Sequence, residues 1–232
     1  MIDWHCHILP GIDDGSRDVA ESVSMVESQM SQRVDILVAT PHFDANDESV
    51  KDFLARRDAA YQALKPHLPG NAPQIVLGAE VRYYPGVSRL EGLQELCLGD
   101  STLLLLELPM REWTESVIRE LLELSGRSDM RILLAHVERY LRLQKREVWN
   151  RLQEAGILMQ INTSYILSPA SRRKALAGLA EGKFQFIGSD CHNMTSRPPR
   201  MGKAMEIVAK KIGTDYIREI DEFGQTMLVE NE

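Results

Sequence analysis

Three features are scarce or missing in this sequence, and each absence excludes a class of protein. The three cysteines, Cys6, Cys97 and Cys191, are too few and odd in number to form a disulfide framework. The longest apolar runs, such as 103–106, fall far short of the roughly 20 residues that a membrane span requires. Basic residues total 27 against 34 acidic ones, so the net charge of −7 does not favour nucleic acid. We therefore expect neither membrane insertion nor a nucleic-acid partner.

The chain also lacks the marks of a secretory signal and of a division into domains. The first residues, Met1–His5, carry neither a basic segment nor an apolar one. At about 150 residues per domain, 232 residues with 44% hydrophobic composition correspond to one large domain, and no linker-like stretch interrupts them. We expect residues 1–232 to form a single cytoplasmic domain with reduced cysteines. No heptad pattern indicates an oligomer, so the oligomeric state stays open.

Short runs of Val, Ile and Leu alternate along the chain with longer segments of helical period. The runs predict strands at 1–5, 34–40, 74–82, 102–108, 131–136, 157–162 and 184–189. The segments between them predict helices near 17–32, 47–67, 112–126, 143–155, 169–181 and 199–212, followed by a short last helix at 215–221 and a tail. Because the strands are almost continuously apolar, we expect an α/β fold with a parallel sheet that is covered on both faces. The pattern alone leaves a closed barrel and an open, doubly wound sheet as alternatives.

Histidines and carboxylates gather at the predicted strand ends. Five of the six histidines lie at or just after such an end, namely His5, His7, His42, His136 and His192. The exception, His67, lies at a helix end. Three carboxylates also end strands, namely Glu80, Glu107 and Asp190. Because the carboxyl ends of parallel strands share one face, where α/β barrels build their active sites, these side chains should lie together.

The spacing and chemistry of these residues indicate a metal site. His5-x-His7 and Asp190-x-His192 place both side chains of each pair on one face of an extended segment, and the cysteine inside each motif should point away. Imidazole and carboxylate ligands without thiolate suit manganese, iron or zinc. The alternative role of the carboxylates is to cap helices or to pair with nearby arginines.

The opening residues carry a resemblance to a known family. Asp3-x-His5-x-His7, followed by Leu9-Pro10-Gly11-x-Asp13-Asp14-Gly15, resembles the first signature of the polymerase-and-histidinol-phosphatase (PHP) superfamily. The segment is similar to that of its bacterial protein-tyrosine phosphatase branch, the CpsB/CapC-like family of capsule and exopolysaccharide synthesis. The later matches are Thr40-Pro41-His42, Gly78-Ala79-Glu80-Val81, Glu107, Ala135-His136-Val137-Glu138-Arg139-Tyr140 and Gly188-Ser189-Asp190-x-His192-Asn193. Together they cover the chain from residue 3 to about residue 203.

The resemblance implies a fold and a metal centre. The fold would be a distorted (β/α)7 barrel with three divalent metal ions at the carboxyl ends of its strands. Manganese is the expected metal, with iron, zinc and magnesium as alternatives. The implied ligands are His5, His7, Glu80 and Asp190 for one metal, Glu80, Glu107 and His136 for a second, and His42, His192 and Asp13 for the third. Asp14 is the alternative to Asp13 at the third metal.

The resemblance also implies a reaction. Members of this family hydrolyse phosphotyrosine on protein and reverse the autophosphorylation of a bacterial tyrosine kinase. Clustered metals activate water for in-line attack and clamp phosphoryl oxygens. Arg139 and Arg197 resemble the family's phosphate-binding arginines, and a guanidinium group matches phosphoryl oxygens bidentately. The sequence leaves two alternatives: a small-molecule phosphomonoesterase, such as a histidinol-phosphate phosphatase, and a metal-binding regulatory protein without turnover.

The spacing of one cysteine and one arginine matches the signature of a second class of phosphatase. Cys191 and Arg197 form a Cys-x5-Arg string, the pattern of the nucleophile loop in cysteine-dependent tyrosine phosphatases. That loop wraps a phosphate with backbone N–H groups, which glycines normally permit. No glycine lies between the two residues, and Pro198 and Pro199 remove two donors directly after them. We therefore expect a metal-dependent reaction and a buried, unreactive Cys191.

Overall fold

The computed structural model describes residues 1–229, within which no helix is long and apolar enough to cross a bilayer. The strands are β1 (Ile2–Cys6), β2 (Ile36–Ala39), β3 (His42–Phe43), β4 (Gln74–Leu77), β5 (Glu80–Arg82), β6 (Leu103–Glu107), β7 (Arg131–Leu134), β8 (Leu158–Asn162) and β9 (Phe186–Gly188). The helices are α1 (Val19–Ser31), α2 (Val50–Leu64), α3 (Glu115–Ser125), α4 (Arg146–Glu154), α5 (Thr163–Leu167), α6 (Arg172–Ala180), α7 (Met201–Lys211) and α8 (Thr214–Val229). Short 3-10 helices lie at Lys65–His67, Val87–Arg89, Leu93–Leu96 and Val137–Arg139.

The strand pairs between these elements are parallel, as the apolar runs predict. One group has the order β1-β2-β4, and the other has the order β3-β5-β6-β7-β8-β9. The predicted strand 74–82 is interrupted at Gly78 and Ala79, so it contributes β4 to the first group and β5 to the second. The predicted α/β class is therefore confirmed, and the carboxyl ends of paired strands face the same way.

The sheet curls, so that β1 lies beside the segment that follows β9. The N–H of Asp190 donates to the carbonyl of His5 over 2.7 Å, and the N–H of His7 donates to the carbonyl of Cys191 over 2.9 Å. A single parallel bridge pairs Cys6 with Cys191. The two segments that carry the His-x-His and Asp-x-His motifs therefore run next to each other.

Alternate side chains of the strands enter two different apolar clusters. In β6, Leu104 and Leu106 belong to the larger cluster, whereas Leu103 and Leu105 belong to a smaller one that also contains Trp4. Both faces of the strand are buried, which explains the continuous apolar run in the sequence. A shift of one residue would exchange the side chains of the two clusters, so this packing fixes where the strand ends and where its polar residues lie.

The last helix is longer than the sequence pattern predicts. The pattern predicts a short helix at 215–221 and a tail, but α8 extends to Val229, so that prediction is wrong. Gly224 weakens the intrinsic helix signal by about 1 kcal/mol relative to alanine. The same glycine allows close packing, because a Cβ at this position would lie 2.7 Å from Cζ2 of Trp4. The end of the predicted tail, 230–232, lies outside the described residues.

Candidate metal centre

The structure brings the strand-end histidines and carboxylates together in one cleft. The Nε2 atoms of His5 and His7 lie 3.0 Å apart, and Oε2 of Glu80 lies 3.1 Å from Nε2 of His5. Oδ1 of Asp190 lies 3.7 Å from Nε2 of His5 and 3.6 Å from Nε2 of His7. All four residues are buried. They form a first cluster with the composition that the resemblance implies for one metal.

Glu80 joins this cluster to a second one. Its Oε1 atom lies 2.8 Å from Nε2 of His136, and the same nitrogen lies 3.4 Å from Oε1 of Glu107. Its Oε2 atom faces His5 and also lies 3.1 Å from Nδ1 of His42. Ligand atoms of His42, Glu80 and Glu107 fall within 4.8 Å of one another. The two oxygens of Glu80 thus face different histidines, as a bridging carboxylate requires.

A third cluster contains Asp14, whereas Asp13 lies elsewhere. Ligand atoms of His7, Asp14, His42 and His192 fall within 4.8 Å of one another. Oδ1 of Asp14 lies 3.4 Å from Nε2 of His42 and 3.3 Å from Nε2 of His192. Oδ2 of Asp13 instead lies 2.7 Å from Nδ1 of His7 and accepts a hydrogen bond from the N–H of His42. The structure therefore brings the other predicted ligands together with Asp14 and places Asp13 behind His7.

Three of the histidine rings are held from behind by hydrogen-bond acceptors. The Nδ1 atoms of His5, His7 and His192 lie 3.2, 2.7 and 3.1 Å from Oε1 of Gln160, Oδ2 of Asp13 and the carbonyl oxygen of Asp190, respectively. Each acceptor takes the N–H of Nδ1, so a neutral ring would present the lone pair of Nε2 to a metal ion in the cleft. Such outer contacts orient the histidines that ligate metals in proteins. Nε2 of His192 is buried and has no hydrogen-bond partner among the described residues, so its lone pair is available to a metal ion.

The charges of these side chains favour a bound cation. Burial acts to raise the pKa of Glu80, but the charge of His5 and hydrogen bonds from neighbouring histidines bring that pKa well below its usual range. Burial acts to lower the pKa of His7, yet hydrogen bonds to Asp13 and Glu80 raise it well above its ordinary value, so a metal ion at Nε2 of this ring would replace a proton. Burial and the charge of His7 lower the pKa of His192 to about 4, which keeps that ring neutral at pH 7. Buried carboxylates that stay ionised attract positive charge strongly.

The donor set fits divalent metals. The converging ligand atoms are imidazole nitrogens and carboxylate oxygens, a combination that suits manganese, iron and zinc. Cys6 and Cys191 are fully buried, and neither sulfur belongs to the clusters. The thiol of Cys6 donates to the carbonyl of Val38. The cysteines therefore lie away from the ligands, as the alternation of side chains along an extended segment predicts.

Two residues of the site have a left-handed backbone conformation. The φ angle is 32° at His136 and 51° at Asp190, a region that favours glycine. For other residues this conformation costs of order 1–3 kcal/mol, and it persists only where the surrounding structure holds it. Each residue lies two positions beyond the end of a buried strand, so the packing of β7 and β9 offsets the cost. Strain of this kind is typical of functional positions.

The two predicted phosphate-binding arginines flank the clusters. Nη2 of Arg139 lies 2.5 Å from Oδ2 of Asp190, and Nη2 of Arg197 lies 2.7 Å from Oδ1 of the same carboxylate. Both side chains are partly exposed. They line a cavity of about 570 Å³ together with Glu80 and Glu107. A phosphoryl group in this cavity would meet guanidinium donors beside the metal-ligating side chains.

The loop that carries Arg197 is organised by Asn193. The side-chain oxygen of Asn193 accepts hydrogen bonds from the N–H groups of Thr195, Ser196 and Arg197 over 3.0, 2.8 and 3.0 Å. A cysteine-dependent phosphatase would direct such N–H groups at its phosphate. Cys191 is also fully buried. The Cys-x5-Arg string is therefore not a phosphate-binding loop, as its lack of glycine predicts.

Reasoning from the sequence misses two buried amides, Gln160 and Asn162 on β8. Oε1 of Gln160 accepts a hydrogen bond from the N–H of His136, and Nδ2 of Asn162 donates to Oδ2 of Asp190. Both amides are uncharged and lie within the predicted strand 157–162, so a search for histidines and carboxylates at strand ends overlooks them. Their alternate spacing in an otherwise apolar strand is the signal that could have found them, because buried polar groups need partners.

The sequence matches a described protein family over nearly its whole length. That family is described as "Capsular polysaccharide synthesis, CpsB/CapC", and the match covers residues 1–228. The chain belongs to the CpsB/CapC family. The family expected from the sequence motifs is therefore confirmed.

Named relatives of this CpsB/CapC chain include enzymes. Tyrosine-protein phosphatase YwqE of Bacillus subtilis is 30% identical over 237 residues, which cover 98% of this chain and 91% of YwqE. A solved structure matches with a TM-score of 0.83 and 24% identity over 100% of this chain and 96% of the other. It is described as YwqE from Bacillus subtilis and CpsB from Streptococcus pneumoniae, unique metal-dependent tyrosine phosphatases. Histidinol phosphate phosphatase from Lactococcus lactis matches with a TM-score of 0.59 and 14% identity, covering 94% of this chain and 93% of the other. The two structural matches establish the shared fold.

Proposed function

We propose that this protein is a metal-dependent phosphatase that hydrolyses phosphotyrosine on a cytoplasmic bacterial tyrosine kinase of capsule or exopolysaccharide synthesis. The observation that carries the proposal is the meeting of imidazole–carboxylate clusters with two guanidinium groups at one cavity. Metal ions and cationic donors are the groups that stabilise a transferring phosphoryl group. The description of YwqE as a tyrosine-protein phosphatase supports phosphotyrosine as the substrate.

Three divalent metal ions, with manganese as the native metal, are proposed to bind the clusters. The ligands would be His5, His7, Glu80 and Asp190 for the first, Glu80, Glu107 and His136 for the second, and His42, His192 and Asp14 for the third. When bound, such metals neutralise phosphoryl charge and lower the pKa of water. Asp14 takes the place of Asp13 in this assignment, because Asp13 is engaged with His7 whereas Asp14 faces the other ligands.

Arg139 and Arg197 are proposed to bind the phosphoryl oxygens. Each guanidinium donates to Asp190, so this one carboxylate holds both at the edge of the clusters. Each guanidinium has five N–H donors, which leaves further donors for a ligand after the contact with Asp190. A phosphate monoester dianion attracts these donors through charge-assisted hydrogen bonds.

We also propose that the curled sheet is the wall of a distorted (β/α)7 barrel formed by one domain. The hydrogen bonds between β1 and the segment after β9 support closure of the sheet. The carboxyl ends of the strands would then surround the cleft, the position at which α/β barrels build their active sites.

The substrate class is tested by comparing kcat/KM for a tyrosine-phosphorylated peptide with kcat/KM for histidinol phosphate, both with added manganese. We expect the phosphopeptide to be preferred by at least about tenfold, or about 1.4 kcal/mol of transition-state binding. The reason is that the relative described as a tyrosine-protein phosphatase is 30% identical to this chain, whereas the histidinol phosphate phosphatase is 14% identical. A preference for histidinol phosphate would favour the small-molecule alternative. A fully metal-loaded protein that turns over neither substrate would favour the regulatory alternative.

The assignment of the third metal is tested with Asp14→Ala and Asp13→Asn. We expect Asp14→Ala to lose one metal ion per chain, because it removes the carboxylate that faces His42 and His192. Asp13→Asn should keep all the metal ions and weaken their binding by about 10- to 100-fold, since the amide oxygen still accepts from His7. Metal content per chain, measured by elemental analysis, separates the two. Loss of a metal ion in Asp13→Asn but not in Asp14→Ala would restore Asp13 as the ligand.

A further inference from the structure

Gln160 and Asn162 lie behind the metal-ligating side chains rather than among them. Both are on β8, two residues apart, so their side chains project from the same face of the strand. Gln160 is fully buried and Asn162 is 4% exposed. Buried amides are costly unless their donors and acceptors find partners, so their hydrogen bonds indicate what they do.

The direction of these hydrogen bonds is set by one backbone group. The N–H of His136 can only donate, and it lies 2.7 Å from Oε1 of Gln160. The amide nitrogen of Gln160 therefore faces Asn162, whose Oδ1 accepts over 2.9 Å. The nitrogen of Asn162 in turn donates to Oδ2 of Asp190 over 2.7 Å. The four residues form one chain of hydrogen bonds with a single direction.

This chain acts on a proposed metal ligand at each end. Oε1 of Gln160 also lies 3.2 Å from Nδ1 of His5, and an amide oxygen only accepts, so Nδ1 carries the proton. In the neutral ring the lone pair of His5 is then on Nε2, the atom that lies 3.1 Å from Oε2 of Glu80. At the other end, Asn162 holds Oδ2 of Asp190. The other oxygen, Oδ1, accepts from Nη2 of Arg197 over 2.7 Å and lies 3.7 Å from Nε2 of His5.

A glycine on the neighbouring strand leaves room for this arrangement. Gly188 pairs with Asn162 in the register of β8 and β9. A Cβ at position 188 would lie 2.5 Å from Cβ of His5 and 2.8 Å from Nε2 of Gln160. The space next to Gly188 is therefore occupied by Cβ of His5 and by the amide of Gln160.

We propose that Gln160 and Asn162 are positioning residues, which fix the tautomer of His5 and the orientation of Asp190 so that both present lone pairs to the same metal ion. The inference rests on the proposed metal centre. It assigns a role to two residues that are not ligands. Contacts of this outer kind set ligand geometry, and their loss typically changes metal affinity by about 10- to 100-fold.

The test measures the zinc affinity of the full chain by competition with a chelating indicator. Gln160→Glu keeps the shape and the acceptor for His5, but its second carboxylate oxygen can only accept, so Asn162 would turn its amide donor from Asp190 to position 160. Because Asp190 then loses its partner, we expect zinc binding to weaken by about 10- to 100-fold. Asn162→Ala removes the donor to Asp190 and carries the same expectation. Two variants are used so that the test does not depend on the folding of either one alone. Thermal unfolding shows whether each variant is folded.

Gln144→Glu is the matched control. Gln144 is also a buried glutamine, whose Oε1 accepts from the N–H of Trp113 and whose Nε2 donates to the carbonyl of Arg111. None of these groups belongs to the clusters. The substitution makes the same chemical change as Gln160→Glu, so we expect a comparable effect on folding and an unchanged zinc affinity.

Two further readouts distinguish a positioning role from a merely structural one. In the Asn162→Ala background, Gln160→Glu should weaken zinc binding about threefold less than it does in the wild type, because its partner is already absent. In zinc-loaded protein with isotope-labelled histidine, nuclear magnetic resonance should show the His5 proton on Nδ1. Gln160→Leu, which lacks the acceptor, should lose protection of that proton from exchange, whereas Gln144→Glu should keep it.

The outcomes separate this inference from the proposed function. Wild-type zinc affinity in both Gln160→Glu and Asn162→Ala would overturn the positioning role and leave the metal centre in place. Equal weakening in Gln144→Glu would also overturn it, because the effect would then be one of folding. A wild-type protein that binds no zinc would overturn the metal centre and the positioning role together.

Discussion

Replacing Glu80 with glutamine is expected to remove bound metal and turnover together, although the side chain keeps its shape. In the wild type, Oε1 of Glu80 faces His136 and Oε2 faces His5 and His42, so each oxygen serves a different cluster. An amide nitrogen has no lone pair for a metal ion, so Glu80→Gln retains only one of the two ligand atoms. Loss of a hydrogen bond behind a metal ligand weakens metal affinity by about 10- to 100-fold. Loss of a ligand atom itself should therefore weaken metal affinity by at least about a hundredfold. Metal content by elemental analysis and kcat on a tyrosine-phosphorylated peptide measure both effects.

His67→Ala is the control for Glu80→Gln. His67 is the histidine that the sequence places away from the strand ends, and it lies in the exposed 3-10 helix Lys65–His67. We expect its replacement to change neither metal content nor turnover. Full metal occupancy in Glu80→Gln would exclude the bridging role, and metal loss in His67→Ala would mean that the cleft is not the metal site.

Arg139→Ala and Arg197→Ala are each expected to reduce kcat/KM by roughly ten- to a hundredfold, since a hydrogen bond to a charged group contributes about 1.5–3 kcal/mol. Neither arginine is a metal ligand, so the number of metal ions per chain should stay as in the wild type. The two guanidinium groups lie on different oxygens of Asp190, and each variant leaves the other contact in place. Steady-state kinetics together with metal content give the required comparison.

Arg146→Ala provides the control for the two arginine variants. Arg146 is exposed at the start of α4 and does not line the cavity that contains Arg139 and Arg197. Its replacement should leave kcat/KM at the wild-type value. Unchanged kinetics in Arg139→Ala and Arg197→Ala would contradict their role in phosphate binding. Loss of metal in either would show that the arginine acts by holding Asp190.

The location of the site could be predicted from the sequence because it depends on strand periodicity. Parallel strands place their carboxyl ends on one face, so five histidines at four such ends had to converge. The same two-residue period separates His5 and His7 from the intervening cysteine, and the structure places Cys6 away from the clusters. These inferences need only the direction of the chain and the alternation of side chains.

The choice between Asp13 and Asp14 could not be made in this way. The two residues are adjacent in a turn, where no period determines which side chain points inward. Their positions follow from hydrogen bonds formed in the folded chain, since Asp13 accepts from the N–H groups of Gly15 and His42. The amides Gln160 and Asn162 were missed for a similar reason, because their roles arise from partners that are distant in sequence.

The length of α8 was missed because tertiary packing stabilises it. Glycine has a low helix propensity, so Gly224 would destabilise an isolated helix. In the folded protein this glycine lies against Trp4, and Met227 joins the cluster that contains Ile2. Most helical stability in proteins comes from such packing rather than from intrinsic propensity.

Metal-dependent catalysis is tested by measuring metal content and phosphotyrosine turnover on the same sample, before and after chelation, for the wild type and for Cys191→Ser. We expect protein purified without added metal to contain divalent metal, chelation to abolish turnover, and manganese to restore it. Cys191→Ser should retain most of the wild-type turnover, because its thiol is fully buried and lies outside the ligand clusters. Undiminished turnover by the chelated, metal-free wild type, together with an inactive Cys191→Ser variant, would contradict metal-dependent catalysis.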